Sequence, residues 1–152
     1  MITIAPLLSD HCEALVEILN TDTRLQKALG SSQTANRADF LKACRVWMKK
    51  ESGQTYTIML EAYPIGIISI SRDARNTDGR KIGYWLTSKQ WNKGYGTIAF
   101  TQMLLAARAE GATLVAATIP KESLASYRMW QKLGATFTEN PQDFSAELDL
   151  DL

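Results

Sequence analysis

Histidine is almost absent from this chain: His11 is the only one in 152 residues. Cysteine is nearly as scarce, and Cys12 and Cys44 lie far apart in sequence, in no CxxC spacing. A structural zinc site takes about four such ligands, so no metal centre is expected. Two ordinary thiols fit a reduced, cytoplasmic chain rather than a disulfide framework. No stretch approaches ~18 consecutive apolar residues, so no membrane span is expected. Met1 to Pro6 carries neither a basic n-region nor a long apolar run, so no secretory leader is expected. Charge of one sign is missing too: 17 Lys and Arg against 16 Asp and Glu leave a net charge of +1. Such a balance offers no footprint for nucleic acid or an anionic membrane, although a local basic patch can still meet an anionic ligand. Repeats, linkers and low-complexity tracts are lacking as well.

What the chain does have is apolar mass, 45% hydrophobic residues in a length suited to one domain. Ile2-Thr3-Ile4 predicts a short strand. Asp10 and Glu13 suit a capping box, followed by helical spacing at Leu15, Ile18 and Leu19. His11 reads as a surface residue of that helix. Gly30 to Gln33 reads as a loop. A second helix carries Phe40, Leu41, Cys44, Trp47 and Met48 on one stripe, with Trp47 and Met48 in the core. Strands are predicted at Thr55 to Glu61 and Ile65 to Arg72, about a turn at Tyr63-Pro64. Asn76 to Gly79 suits a hairpin turn, with Asp73, Arg75 and Asp78 as solvated turn charges, and Arg80 to Thr87 a third strand. A loop from Asn92 to Gly96 opens a long apolar helix reaching Glu110. Its narrow polar stripe of Thr97, Thr101 and Arg108 predicts extensive burial, and Gly111 suits its cap. A strand from Thr113 to Ile119 stops at Pro120. A helix then runs from Ser123 to Leu133, capped by Gly134, and the alternation from Phe144 to Leu152 predicts a half-buried strand. The order βααβββαβαββ implies an α/β fold with a mixed, mostly antiparallel central sheet and helices on both faces.

Chemistry concentrates in Lys81-Ile82-Gly83-Tyr84-Trp85-Leu86 and Trp91-Asn92-Lys93-Gly94-Tyr95-Gly96-Thr97. Strand, glycine loop and helix together can hold phosphates. The helix N-terminus offers unpaired N–H groups and partial positive charge, and glycine lets an anion approach the backbone. A helix start that only needs a tight turn would look similar. Lys93 precedes the glycines and no Gly-Lys-Ser/Thr follows, which excludes a nucleotide P-loop. A dinucleotide fingerprint is excluded by the missing third glycine.

Ile82-Gly83-Tyr84-Trp85-Leu86 followed by Trp91-Asn92-Lys93-Gly94-Tyr95-Gly96-Thr97-Ile98-Ala99 resembles the acetyl-CoA motif of GNAT acetyltransferases. The similarity is to the branch that acetylates N-termini of ribosomal proteins. Ile119-Pro120 and the block from Ser123 to Gly134 extend the resemblance along essentially the whole chain. It implies one acyl-CoA N-acyltransferase domain over residues 1–152, acetyl-CoA as co-substrate and no metal. The acceptor would be an amine, on a small molecule or a protein N-terminus, and the protein a monomer or homodimer. The backbone of Trp85, Leu86 and Thr87 would pair with the pantetheine arm, one N–H polarising the thioester carbonyl. The amides from Trp91 through Asn92, Lys93, Gly94, Tyr95 and Gly96 to Thr97 would cradle the pyrophosphate. Ser123, Ser126 and Tyr127 would line the thiol end, with Ser126 first and Tyr127 second as the acid for the departing thiolate. Ser123, Ser126 and Trp130 share a helix face, which the resemblance turns toward the cofactor.

The departures bear on mechanism. Asn92 replaces a Gly, but Asn tolerates positive φ. Ile98 replaces a frequent Glu, and Ser123 an Asn. Trp130 stands where many relatives carry a Tyr acid. Lys81 stands where a Glu often precedes Ile-Gly-Tyr, and that Glu is a candidate base in some relatives. At pH 7 a Lys amine is neutral in roughly one molecule in 2,500, an α-amino group in roughly one in ten. Without that carboxylate, a low-pKa acceptor is favoured: a peptide or protein α-amino group, or an amino-acid-like amine. The contrasting expectation is a catalytically weak CoA-binding regulatory module.

Overall fold

The computed structural model of the chain describes residues 1–30 and 35–150. In order, the elements are β1 (Ile2–Pro6), α1 (Ser9–Thr21), α2 (Thr23–Leu29), α3 (Arg37–Lys50), β2 (Gln54–Leu60), β3 (Tyr63–Asp73) and β4 (Asn76–Leu86). A single 3₁₀ turn, Ser88–Gln90, leads to α4 (Tyr95–Ala109), β5 (Leu114–Pro120), α5 (Leu124–Lys132), β6 (Thr136–Glu139) and β7 (Asp143–Asp149). The strands form one sheet in the order β1-β2-β3-β4-β5-β7-β6. Among the described residues only the β4–β5 pair is parallel, and the other neighbours are antiparallel. The mixed sheet expected from the sequence is therefore present.

Side-chain alternation divides the sheet into two faces. Ile2, Ile58, Ile68, Ile70, Ile82, Leu86, Val115 and Leu148 point to one face and pack on Phe100 and Met103 of α4 and Met129 and Trp130 of α5. Phe100 and Trp130 meet edge to face, centroids 4.8 Å apart. The opposite face carries α1, which sits against β3 and α3. Helices thus cover both faces, but over β4, β5 and β7 they cover only one.

Several local expectations change. The cap of α1 is not the Asp10–Glu13 pair: Leu8 is the N-cap, and its N–H donates to Nδ1 of His11 at 3.2 Å. The same Nδ1 lies 2.7 Å from Oγ1 of Thr57, which is buried in β2. A backbone amide can only donate, so Nδ1 is the acceptor and the Thr57 hydroxyl donates to it. His11 is a link between helix and sheet, not a surface residue. Helix α2, seven residues long, was not anticipated. It is too short for periodicity to register, and its signals are caps: Asp22 accepts from Leu25 N–H, and Gly30 closes it at φ +68. Beyond Gly30, the loop expected to Gln33 lies outside the described residues. On α3 the stripe from Phe40 to Met48 is the partly covered one, yet no α3 residue is fully buried, so Trp47 and Met48 are not core.

The β3–β4 turn is Ala74-Arg75, and Asn76 to Gly79 belong to β4. The Asp73 carboxylate accepts the Arg75 N–H at 3.0 Å, an Asx turn that supplies the reversal. Asp73 is therefore buried rather than solvated. Gly79 is used instead to pair with Leu114 of β5. Helix α4 buries Ala99, Phe100, Met103 and Ala107 but leaves Ile98 and Leu105 exposed, so it is one-sided rather than extensively buried. The C-terminal strand begins at Asp143, and its last expected residues, 151 and 152, lie outside the described residues.

Strands β3 and β4 approach most tightly at Gly66, where an added Cβ would lie 2.1 Å from the Trp85 carbonyl oxygen. Gly66→Ala should destabilise the fold by about 3 kcal/mol, the upper end of the usual overpacking cost, because backbone must move. At Gly83 an added Cβ meets nothing within 4 Å. Gly83→Ala should be neutral or stabilise by up to about 1 kcal/mol. Urea unfolding of the two variants checks the contrast; equal stabilities would refute it.

Candidate active site

Strands β4 and β5 run together briefly and then part. Their bridges are Gly79 to Leu114, Arg80 to Val115 and Lys81 to Ala116. Beyond Lys81, β4 stays with β3 as far as Leu86, while β5 stays with β7 as far as Pro120. A slot opens between them. Thr87 N–H donates to the Ile65 carbonyl at 2.8 Å. In an antiparallel ladder the hydrogen-bonded pairs alternate, so Trp85 and Gly83 likewise turn their peptide groups to β3. The peptides of Tyr84 and Leu86 therefore face the slot. Of the three backbone positions expected there, only Leu86 has its N–H on the slot side. Thr87 and Trp85 are committed to β3, and Tyr84 takes their place.

The far end of the slot is the loop from Trp91 to Gly94. Asn92 adopts φ +63 and Gly94 φ +80, so the Asn-for-Gly exchange keeps the left-handed turn. Gly94 is the N-cap of α4, and no side chain caps the helix. The first intrahelical bond is Ile98 N–H to the Gly94 carbonyl, which leaves the amides of Tyr95, Gly96 and Thr97 without an intrahelical acceptor. Lys93 is exposed, its Nζ 3.1 Å from Oε1 of Gln90. An added Cβ at Gly96 would lie 3.1 Å from the Tyr84 ring, so this glycine makes room for that ring.

Tyr84 joins the slot to α5. Its hydroxyl donates to the Met129 sulfur at 3.9 Å and is near enough to the Ser126 side chain for that group to act on its acidity. Burial pushes the phenol above its ordinary pKa, with the Ser126 side chain pulling the other way. Ser123 is the N-cap of α5 and half-buried. Tyr127 turns elsewhere: its ring stacks on Phe137 at 4.3 Å and leans on Phe144 at 4.8 Å. Trp130, expected to turn toward the cofactor, is buried against Phe100.

A family model described as the acetyltransferase (GNAT) domain matches residues 2–136. The chain belongs to the GNAT acetyltransferase family. No curated protein matches it. Among solved structures, RimL, a ribosomal L7/L12 alpha-N-protein acetyltransferase in complex with coenzyme A, has a TM-score of 0.82 at 15% identity, covering 99% of this chain and 94% of its own. The aminoglycoside acetyltransferase AAC(6')-Ib, also with coenzyme A, gives 0.80 at 19% identity, covering 98% and 95%. Salmonella typhimurium yncA, with acetyl-CoA, gives 0.77 at 19%, covering 99% and 94%. At such identities the likeness is one of fold. As a GNAT member the chain is an N-acetyltransferase with acetyl-CoA as co-substrate. Among the described residues no helix is long and apolar enough to cross a membrane, and no group of three or more His, Cys, Asp and Glu is placed to hold a metal.

In this GNAT chain the slot's mouth is held by the α1–α2 corner, which the motifs did not reveal. Asp22 caps α2 and also accepts from Ser88 N–H at 2.7 Å, Ser88 Oγ at 2.7 Å and Thr87 Oγ1 at 3.1 Å. Arg24 lies over the Trp91 ring, 5.0 Å from its centroid, and Trp91 Nε1 donates to the Leu86 carbonyl at 2.8 Å. Burial works to raise the Asp22 pKa, but the bonds from Ser88, Leu25 and Thr87 outweigh it and hold the carboxyl below its ordinary range. With the folded carboxyl the stronger acid, the unfolded chain binds the proton first as pH falls. The stabilisation is complete above the unfolded value of about 3.9 and vanishes as pH drops through the folded value. Asp22→Ala should cost about 2–3 kcal/mol at pH 7 and flatten the acid limb of stability below about pH 4. Urea unfolding of both proteins at neutral pH and down through that limb measures this; parallel acid limbs would contradict it.

Proposed function

We propose that this protein acetylates a low-pKa primary amine, a peptide or protein α-amino group or an amino-acid-like amine, by direct attack on acetyl-CoA. The observation that carries the reading is the slot-facing edge of β4, where the N–H groups of Tyr84 and Leu86 point into a slot that ends at the uncapped N-terminus of α4. Pantetheine amides extend that edge as a strand would, through Tyr84 and Leu86. The pyrophosphate rests on the amides of Gly94 to Thr97, where the helix dipole adds positive potential. The Trp91–Lys93 turn sets that loop's shape.

The slot opens on both faces of the sheet. Cofactor enters from the α4 face, which carries Tyr84 and Ser126; the acceptor comes from the opposite face, which carries Lys81, Gly83 and Trp85. The neutral amine attacks the thioester carbon, and the Tyr84 or Leu86 N–H stabilises the oxyanion. Proximity contributes up to ~7–11 kcal/mol in favourable cases, and oxyanion donors add to it. The C–S bond then breaks and the thiolate takes a proton. Ser126 and Tyr84, whose side chains are neighbours, form the acid; Tyr127 is set aside because its ring is engaged with Phe137 and Phe144. A regulatory module that binds the cofactor without transferring acetyl is the contrasting reading.

Acetyl-CoA at ~100 times its dissociation constant should stabilise the fold by about 2.7 kcal/mol, read as a higher Tm. The absence of any shift at millimolar ligand would refute cofactor binding, and binding without transfer to any amine would favour the regulatory module. Gly94→Val, with φ +80 but no atom within 4 Å of its Cβ, should weaken acetyl-CoA binding by about tenfold or more in the folded protein.

A thiol leaving group of pKa near 8.5 needs little help. Ser126→Ala and Tyr84→Phe should each lower kcat by about tenfold to a hundredfold, at or below the low end of general-acid effects, with acetyl-CoA affinity kept. Full kcat in both variants and in the double variant would assign the proton to solvent.

A further inference from the structure

The face of the sheet left open by α1 holds a depression of about 250 Å³ between the β3–β4 turn and β7. Arg75, Lys81, Thr118, Ser145 and Glu147 line it. Lys81, Ala116 and Glu147 form one row across β4, β5 and β7. Three consecutive strands at ~4.8 Å spacing set the Lys81 and Glu147 backbones ~10 Å apart, with the small, buried Ala116 side chain between them. Among the described residues Lys81 and Glu147 form no ion pair with each other or with any other group. Thr118 and Ser145, paired one row on, add hydroxyls to the floor. Two residues from Lys81 on the same face is Gly83, with open space where a side chain would stand, and then Trp85. Gly83 thus leaves the way from the depression toward the slot clear of a side chain at that position.

We infer that this depression is a subsite for an acceptor whose amine has an anionic group a few bonds away. Lys81 takes the anion, and Glu147, across Ala116, draws the ammonium into the depression before the amine passes Gly83 to the slot. Arg75, turned by its 3.5 Å contact with Asp73, closes the rim. Opposite charges held apart by an alanine match a zwitterion. A polyamine leaves Lys81 facing a second cation, and a neutral amide leaves it without a counter-charge. The inference rests on the acetyl-transfer reading above and narrows its acceptor. Free acidic or α-amino acids and peptides with an acidic N-terminus share this chemistry.

The test measures kcat/KM with acetyl-CoA for glutamate, glutamyl and aspartyl dipeptides, their side-chain and carboxyl amides, and spermidine. Carboxylates should exceed their amides by about tenfold or more. Turnover confined to the dipeptides or to the free amino acid identifies the source, and either supports the subsite. Lys81→Glu should reverse the order toward spermidine. Glu147→Gln should raise KM for every amine without altering the thermal shift produced by acetyl-CoA. Equal rates for carboxylates and amides, or an order unmoved by Lys81→Glu, would overturn the inference. Calorimetry of N-acetylglutamate against its diamide on the CoA-loaded protein reads the anion side without turnover. If no amine is acetylated, the transfer reading fails while this arm still decides: preference for N-acetylglutamate, lost in Lys81→Glu, supports the subsite, and equal affinity overturns it.

Discussion

The parting of β4 and β5 is the constraint on which the rest of the molecule depends. Each strand is claimed on its outer edge by an antiparallel partner, β3 for β4 and β7 for β5. Neither needs the other beyond Lys81 and Ala116, so the two can diverge without losing their own ladders. The cost of divergence is a row of peptide groups without strand partners, and buried peptide groups require partners. Here they border an opening, and a ligand with amides of its own can supply what the missing strand would have supplied. The Tyr84 ring stands on the α4 side of that opening and reaches both Gly96 and α5.

A slot of this kind is useful only if its mouth keeps its shape. The α1–α2 corner provides that through two side chains. Asp22 gathers the start of α2 and the residues just after β4 onto one carboxylate. Arg24 covers Trp91, which in turn is tied to Leu86. The loop that presents the α4 amides is therefore braced from the opposite face of the sheet. The same arrangement separates two chemical environments. On the α4 side lie hydroxyls and uncapped amides; on the open side lie Lys81, Glu147 and the hydroxyls of β5 and β7.

Legibility in the sequence followed the range of the forces involved. The mixed sheet was readable because alternation and glycine punctuation are local patterns, and Asn92 behaved as its tolerance for positive φ required. The glycine loop and the helix after it were readable for the same reason. Asp22 was not, because its meaning lies in partners 65 and 66 residues away. Tyr84 was passed over although it sits inside the motif; which peptides of β4 face the slot follows from the ladder's phase with β3, and only the Thr87–Ile65 bond fixes that phase. Asn76 to Gly79 suggested a turn because the same residues that favour turns also favour irregular strand starts. The Asp73 side chain, reaching two residues on, was the better signal. Tyr127 and Trp130 share a helix with Ser126, yet only contacts with Phe100, Phe137 and Phe144 reveal where their rings go.

The central claim is that the β4 edge receives the cofactor as a strand would. Amide hydrogen exchange measured with and without acetyl-CoA tests it most directly. The account predicts that the N–H groups of Tyr84 and Leu86 exchange readily in the free protein and become protected in the complex. The Thr87 N–H, already bonded to Ile65, should be protected in both. Acetyl-CoA bound at saturation with Tyr84 and Leu86 exchanging at the same rates as in the free protein would contradict the account.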